Sequence, residues 1–220
     1  PNRAYINAYD HDTDSWFRGR EGTWKFFMKR EWIMGGYQWA GIEHRGEAAW
    51  PRLCSQSGAL DLYLQKKDAF YQNQSLFIKD RPILHLLPHW NFEGREGEEI
   101  QVGVYTNCDE VELFLNGVSQ GRKRIAQFES ARWMVEYEPG ELYAVGYHNG
   151  VQVIEDKRVT TGKPYALVLK QENHNVEANG QTYSFVIANP NSDIPSVTIS
   201  REESAELGGD YNFVIKTDHL

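Results

Sequence analysis

The sequence predicts a chain that changes fold class near residue 80, from an α/β segment to an all-β one. Two observations carry this. Apolar residues recur at helical spacing before that point, and after Ile83 that period gives way to segments of nearly perfect two-residue alternation with Asn-Gly pairs between them.

Taken in order, Trp24, Phe27, Met28 and Trp32 fall at i, i+3, i+4 and i+8, an apolar stripe that predicts a helix over residues 23–32. The run Trp32-Ile33-Met34-Gly35-Gly36-Tyr37-Gln38-Trp39 is short and mostly apolar, which predicts a strand buried on both faces. A long polar loop follows over residues 43–56. Asp68 is the expected N-cap of a helix running through Phe77, with Phe70, Tyr71, Gln74 and Phe77 along one side. Beyond Ile83, residues 99–106, 110–115 and 132–137 alternate as half-buried strands do. Asn116-Gly117 and Asn149-Gly150 supply the two positive-φ positions of type I′ hairpin turns. About seven short strands fit between Ile83 and Thr161, the number and length of an immunoglobulin-like β-sandwich.

Thr161-Gly162-Lys163-Pro164 reads as a linker out of it. Residues 165–220 show further β-type runs at 165–170, 183–188, 196–200 and 212–216, with another Asn179-Gly180 turn. The expected organisation is therefore an α/β segment over 1–80, a sandwich over 83–162, and an additional, incomplete β module over 165–220.

Composition excludes several function classes. The 220 residues carry 31 acidic and 23 basic side chains, a net charge of −8, so a chain-wide electrostatic grip on nucleic acid or an anionic membrane surface is disfavoured. No apolar run approaches the roughly 20 residues of a membrane-spanning helix. Two cysteines, Cys54 and Cys108, are too few for a disulfide framework and have no metal-type spacing, so the compartment is not legible from them. The chain opens Pro1-Asn2-Arg3 with no initiator Met and no charged-then-apolar leader, and is expected to be a piece of a longer protein.

Five of the seven tryptophans, Trp16, Trp24, Trp32, Trp39 and Trp50, lie in the first quarter of the chain. Most are expected in a core. Trp39 is the expected ligand contact, because it ends a predicted strand and opens a polar loop, and an indole face suits the C–H face of a sugar ring. The loop places Glu43, His44, Arg45 and Glu47 within five residues, a group suited to acid–base work or to sugar hydroxyls, or simply to a solvated loop held by ion pairs. Asp10, Asp12, Asp14 and Glu21 match a calcium-loop spacing, but Ser15 stands where the sharp turn needs glycine and no entering helix precedes them. His85 and His89 flank Pro88 in an extended stretch and are expected to be structural. No metal site and no cofactor is expected.

Gly35-Gly36-Tyr37-Gln38-Trp39 resembles the Gly-Gly-Phe-x-Trp final barrel strand of glycoside hydrolase family two, the family of β-galactosidases and β-glucuronidases. Its continuation, residues 39–47, resembles the Trp-Thr-Gly-Phe-Asp-Tyr-Arg-Gly-Glu loop of the bacterial β-galactosidase branch. Trp50-Pro51, residues 55–62 and Lys67-Asp68-Ala69-Phe70-Tyr71 continue that resemblance through the last barrel helix. Residues 85–91, 104–117 and 138–142 resemble the immunoglobulin-like domain that follows the barrel in the same branch.

The resemblance implies that residues 1–80 are the C-terminal part of a (β/α)8 catalytic barrel, and that the parent protein is a retaining, exo-acting β-glycosidase using one Glu as acid/base and another as nucleophile. Both glutamates belong to earlier barrel strands in the family, so no catalytic residue is expected within this chain, which by itself is expected to be inactive. What carries over is substrate binding: Trp39 as a wall of the sugar pocket, with Glu43 and His44 beside it. Glu43-His44 stands where the family has Asp-Tyr and Ala40 where it has Thr, which puts galactose specificity in doubt and makes a β-glucuronide the runner-up. A different class of reading keeps the chain as a non-catalytic carbohydrate-binding or adhesion module, since sandwiches host many functions. The implied partners are a carbohydrate substrate and either the N-terminal part of the enzyme or another copy of the chain, with no nucleic acid and no membrane. A bacterial, periplasmic or secreted setting is expected ahead of a cytoplasmic one.

Overall fold

The computed structural model describes residues 19–48 and 54–162 and, beyond these, the main chain of four further strands. The chain divides into two compact units, Pro1–Thr160 and Thr161–Leu220.

Within the first unit, helices α1 (Arg20–Met28) and α2 (Asp68–Phe77) precede seven strands: β1 (Leu84–Leu87), β2 (Glu99–Thr106), β3 (Glu110–Leu115), β4 (Val118–Arg124), β5 (Ala131–Glu136), β6 (Glu141–His148) and β7 (Val151–Val159). The strands form two antiparallel sheets, ordered β1-β2-β5 and β4-β3-β6-β7. The alternation read from the sequence sets the register: Val111, Leu113 and Leu115 of β3 face inward while Glu110, Glu112 and Phe114 face out. Asn116 and Gly117 have φ of 49° and 80°, and Asn149 and Gly150 have 51° and 80°, so both Asn-Gly pairs make the expected tight turns, between β3 and β4 and between β6 and β7.

The core between the sheets is built on Leu86, Trp90, Val102, Val104, Val111, Leu113, Trp133, Val135, Tyr137 and Leu142. Trp90 has no exposed surface, yet its indole N–H is satisfied, donating to the carbonyl oxygen of Glu138 at 2.9 Å. Its ring meets Tyr137 edge-on at 5.1 Å. Strand β1 departs from alternation, with all four residues buried. Leu84 and Leu86 enter the core, and the ring of Tyr71 from α2 stacks on the outward-facing His85.

Before residue 80 the expectations need correction. The first helix runs Arg20–Met28 rather than 23–32, and Trp32 lies beyond its end with 79% exposure instead of completing an apolar stripe. Residues 32–39 form no strand and are not buried: Met34 and Tyr37 are fully exposed and Trp39 is 69% exposed. A strand is defined by its neighbours, and no segment of the described chain lies alongside this one to accept its hydrogen bonds. For the same reason Trp32 is not a core residue. Asp68 is the first residue of α2, after an N-cap at Lys67, and its carboxylate reaches His85 instead of its own helix. The buried side of α2 carries Gln72, Ser75 and Leu76 rather than Phe70, Tyr71, Gln74 and Phe77.

Both helices are pinned to the sandwich. Trp24 lies 4.9 Å edge-on from Phe77 and stacks at 6.3 Å on Phe128, in the β4–β5 connection. The buried Glu21 accepts a hydrogen bond from the Ser130 hydroxyl and pairs with Arg132 at 3.6 Å, and Lys25 pairs with Glu129.

The second unit contributes two separate antiparallel ladders. One pairs β8 (Leu167–Gln171) with β9 (Val186–Pro190), the other β10 (Val197–Arg201) with β11 (Phe213–Thr217). These strands lie within a few residues of the predicted runs; the Asn179-Gly180 turn is outside the described residues. No helix among the described residues is long and apolar enough to cross a membrane.

Candidate functional site

The polar loop of the sequence is an ordered corner built from two strips of chain, residues 38–47 and 54–60, closed by the start of α2. The strips exchange main-chain hydrogen bonds: Ala40 N–H to Ser57 O, Ala59 N–H to Ala40 O, Leu60 N–H to Gly41 O, Glu43 N–H to Leu60 O and Ser55 N–H to His44 O, all between 2.9 and 3.2 Å. The strips pass so closely that a Cβ on Gly58 would stand 2.2 Å from the Glu43 nitrogen, so only glycine fits there. At Gly36 a Cβ would lie 2.6 Å from the outer edge of the Phe27 ring, a side chain that can give way as the backbone at Gly58 cannot. The Trp39–Ala40 peptide at the head of the corner is cis.

Three side chains gather on the exposed side. The Trp39 indole N–H donates to Glu47 Oε2 at 3.2 Å, and the same oxygen lies 3.5 Å from His44 Nε2. His44 meets the Trp39 ring edge-on at 5.5 Å. Its other nitrogen, Nδ1, shares a hydrogen bond with the Ser55 hydroxyl at 3.2 Å, and Ser55 in turn contacts the Ser57 hydroxyl at 3.2 Å. The result is an exposed indole edged by a carboxylate and an imidazole, with the buried Ser55 hydroxyl behind His44 holding its ring; the indole suits the C–H face of a sugar and the two polar groups its hydroxyls.

Glu43 points the other way. Its side chain is 11% exposed, with Oε1 2.6 Å from Lys67 Nζ. Oε2 accepts from the Cys54 thiol at 3.6 Å. Burial, then the adjacent Glu43 carboxylate, pushes the Cys54 thiol above its ordinary range, so it stays protonated and donates. Of the three residues expected to bind substrate, the structure brings Trp39 and His44 together and places Glu43 behind them.

The sequence pointed to Glu47 only as one member of the loop group, and it did not point to Ser55, Ser57 or Lys67 individually. Glu47 belonged to the quoted loop and its spacing to His44 is short, but Ser55 and Lys67 meet partners 11 and 24 residues away, for which local spacing carries no signal. The acidic run Asp10-Asp12-Asp14 lies outside the described residues, as do Trp16 and Trp50, while Glu21 is engaged by Ser130 and Arg132. Among the described residues no group of three or more His, Cys, Asp or Glu side chains is arranged to hold a metal ion. His85 binds Asp68 and stacks on Tyr71, and His89 stacks on Phe92, so neither faces the other as a metal pair would.

Residues 97–154, within the sandwich, match the family model described as a domain of unknown function, DUF4982. The β-galactosidase BoGH2A of Bacteroides ovatus is 36% identical over 186 residues, which are 82% of this chain and 21% of that enzyme. The crystal structure of a β-glycosidase from Bacteroides vulgatus superposes with a TM-score of 0.77 at 32% identity, covering 91% of this chain and 26% of that one. A glycosyl hydrolase family 2 member from Bacteroides cellulosilyticus superposes with a TM-score of 0.67 at 27% identity, covering 83% of this chain and 28% of that one. β-Glucuronidases of Formosa agariphila and Bacteroides fragilis are further relatives, each 27% identical. The chain thus spans about a fifth of the length of the curated relatives it matches.

Proposed function

This chain belongs to glycoside hydrolase family two, and on that premise we propose that it is the C-terminal portion of a retaining, exo-acting β-glycosidase that removes a terminal β-linked sugar, most closely a β-galactoside. The observation that carries this reading is the exposed Trp39 indole, its N–H on Glu47 and the His44 ring against it. Residues up to 80 contribute the closing part of the catalytic barrel and the wall of its sugar pocket. The acid/base and nucleophile glutamates, with carboxyls about 5 to 5.5 Å apart as retention requires, come from the preceding part of the parent polypeptide. That part also covers the apolar side chains of Trp32, Met34 and Tyr37, since an exposed surface of this size is otherwise a standing liability. The chain's own contribution to the reaction is to seat and orient the sugar ring and to exclude water from one side of it.

A β-glucuronide is the second reading, favoured by the β-glucuronidases among the relatives. The experiment is hydrolysis of nitrophenyl β-galactoside and nitrophenyl β-glucuronide by the natural full-length polypeptide, with and without Trp39→Ala. The expected result is turnover of the galactoside above the glucuronide, and a loss of about ten- to a hundredfold in kcat/KM on removing the indole. Inverted preference selects the second reading. Turnover of neither glycoside, or turnover indifferent to Trp39→Ala, overturns the assignment.

A further inference from the structure

We propose that Glu43 and Lys67 form a positioning clamp, in which Glu43 does not touch the sugar but holds the segment that presents Trp39 and His44. The inference rests on the glycosidase reading for its consequence, and on geometry alone for its existence. Glu43 and Lys67 are 24 residues apart in sequence, yet their charged atoms are 2.6 Å apart and largely withdrawn from solvent, with side chains 11% and 33% exposed. The ammonium makes a second bond, donating to the carbonyl oxygen of Gln56 at 2.9 Å. The main chains of the same two residues are tied to adjacent positions of the middle strip, Glu43 N–H to Leu60 O at 2.9 Å and Lys67 N–H to Ala59 O at 3.0 Å. The ion pair therefore closes a ring that joins the strip bearing Trp39, the strip bearing Ser55 and the N-cap of α2.

The adjacency of Glu43 and His44 turns that closure into control of the site. Glu43 is held on Lys67 while the next residue, His44, lies against the Trp39 ring and Ser55, so anchoring Glu43 anchors the main chain that presents His44. Cys54 does not replace Lys67, because its thiol stays neutral. Removing one charge leaves the other without its partner in a half-buried setting, the costly case, whereas removing both is milder. This sets a clamp apart from a sugar contact: a clamp needs both members and tolerates their joint loss better than the loss of either.

The test uses the full-length polypeptide with Glu43→Gln, Lys67→Met, the double substitution and Lys67→Arg. Each single substitution is expected to lower kcat/KM for the nitrophenyl glycoside by about tenfold, mainly through KM, with the double variant better than either single and Lys67→Arg recovering most of the loss. The 19F resonance of 5-fluorotryptophan at Trp39, assigned by its absence in Trp39→Phe, should shift in both single variants and return in Lys67→Arg. A silent Lys67→Met beside a damaging Glu43→Gln makes Glu43 a direct sugar contact and overturns the clamp, as does a Trp39 resonance that neither single substitution moves. If the unaltered polypeptide hydrolyses neither glycoside, the glycosidase reading fails, and the resonance still decides the clamp.

Discussion

His85 on the first strand of the sandwich places its Nε2 2.6 Å from Asp68 Oδ1 at the first turn of α2, with the Tyr71 ring stacked on the imidazole at 4.0 Å. One residue on each side of the junction thus couples the helical segment to the sheet. On the far side of the imidazole, Asp156 of β7 stands 4.0 Å from Nδ1 while it also accepts the Leu86 main-chain N–H. Asp68→Ala removes both the imidazole's partner and an acid at a helix N-terminus. It is expected to cost about 1 to 3 kcal/mol in a urea unfolding series. An unchanged midpoint would show that the Asp68–His85 contact contributes nothing to stability.

Core packing gives a sharper contrast. Leu113 of β3 has no exposed surface and sits between the sheets, whereas Met134 of β5 is 57% exposed. Leu113→Ala should destabilise the sandwich by about 2 to 5 kcal/mol and Met134→Ala by no more than about 0.5 kcal/mol. Equal losses at the two positions, measured by the same unfolding series, would contradict the assigned inward and outward faces of the sheets.

Acid should weaken the hold of Asp109 on the β6–β7 hairpin. The Asn149 main-chain N–H, and after it the His148 imidazole, hold the Asp109 carboxyl below its ordinary 3.8. A carboxyl that is more acidic in the folded state contributes stability that is whole above the ordinary value and is lost as pH falls from there through the folded one. The group is largely exposed, so the effect is modest. Asp109→Asn should flatten this part of the acid limb of a stability–pH profile, and an unchanged limb would show that the Asn149 contact does not form in solution.

Thiol reactivity reports on the interior of the candidate site. Burial, then Glu43, raises the Cys54 thiol, while Cys108 is raised by its own burial in the sandwich. Alkylation by iodoacetamide, followed residue by residue with mass spectrometry, should be slow at both near neutral pH. Glu43→Gln should move the midpoint of the Cys54 rate–pH profile downward and leave that of Cys108 in place. A Cys54 profile indifferent to the substitution would remove the thiol from contact with Glu43.

Legibility in the sequence divides at the point where the chain changes class. Between Ile83 and Val159 the strands at 99–106, 110–115 and 132–137 and both Asn-Gly turns were readable, because alternation and turn chemistry are local, whereas which strand lies beside which was not. Trp32, Met34 and Tyr37 read as buried for an equally local reason: an apolar run signals a need for cover without saying where the cover comes from. Gln72 lies inward on α2 and Phe77 outward because the sandwich, and not the helix's own pattern, sets which side is covered.

The candidate site divides in the same way. Trp39, His44 and the acidic corner around them were visible as residue types suited to a sugar. The roles of Glu43 and Glu47 were not visible, since two acids four residues apart look equivalent on a string. Folding alone made one the half-buried partner of Lys67 and the other the neighbour of the Trp39 indole. Spacing along a chain encodes periodicity and turns, whereas the pairing of charges 24 residues apart depends on three segments meeting, which only the closed tertiary structure brings about.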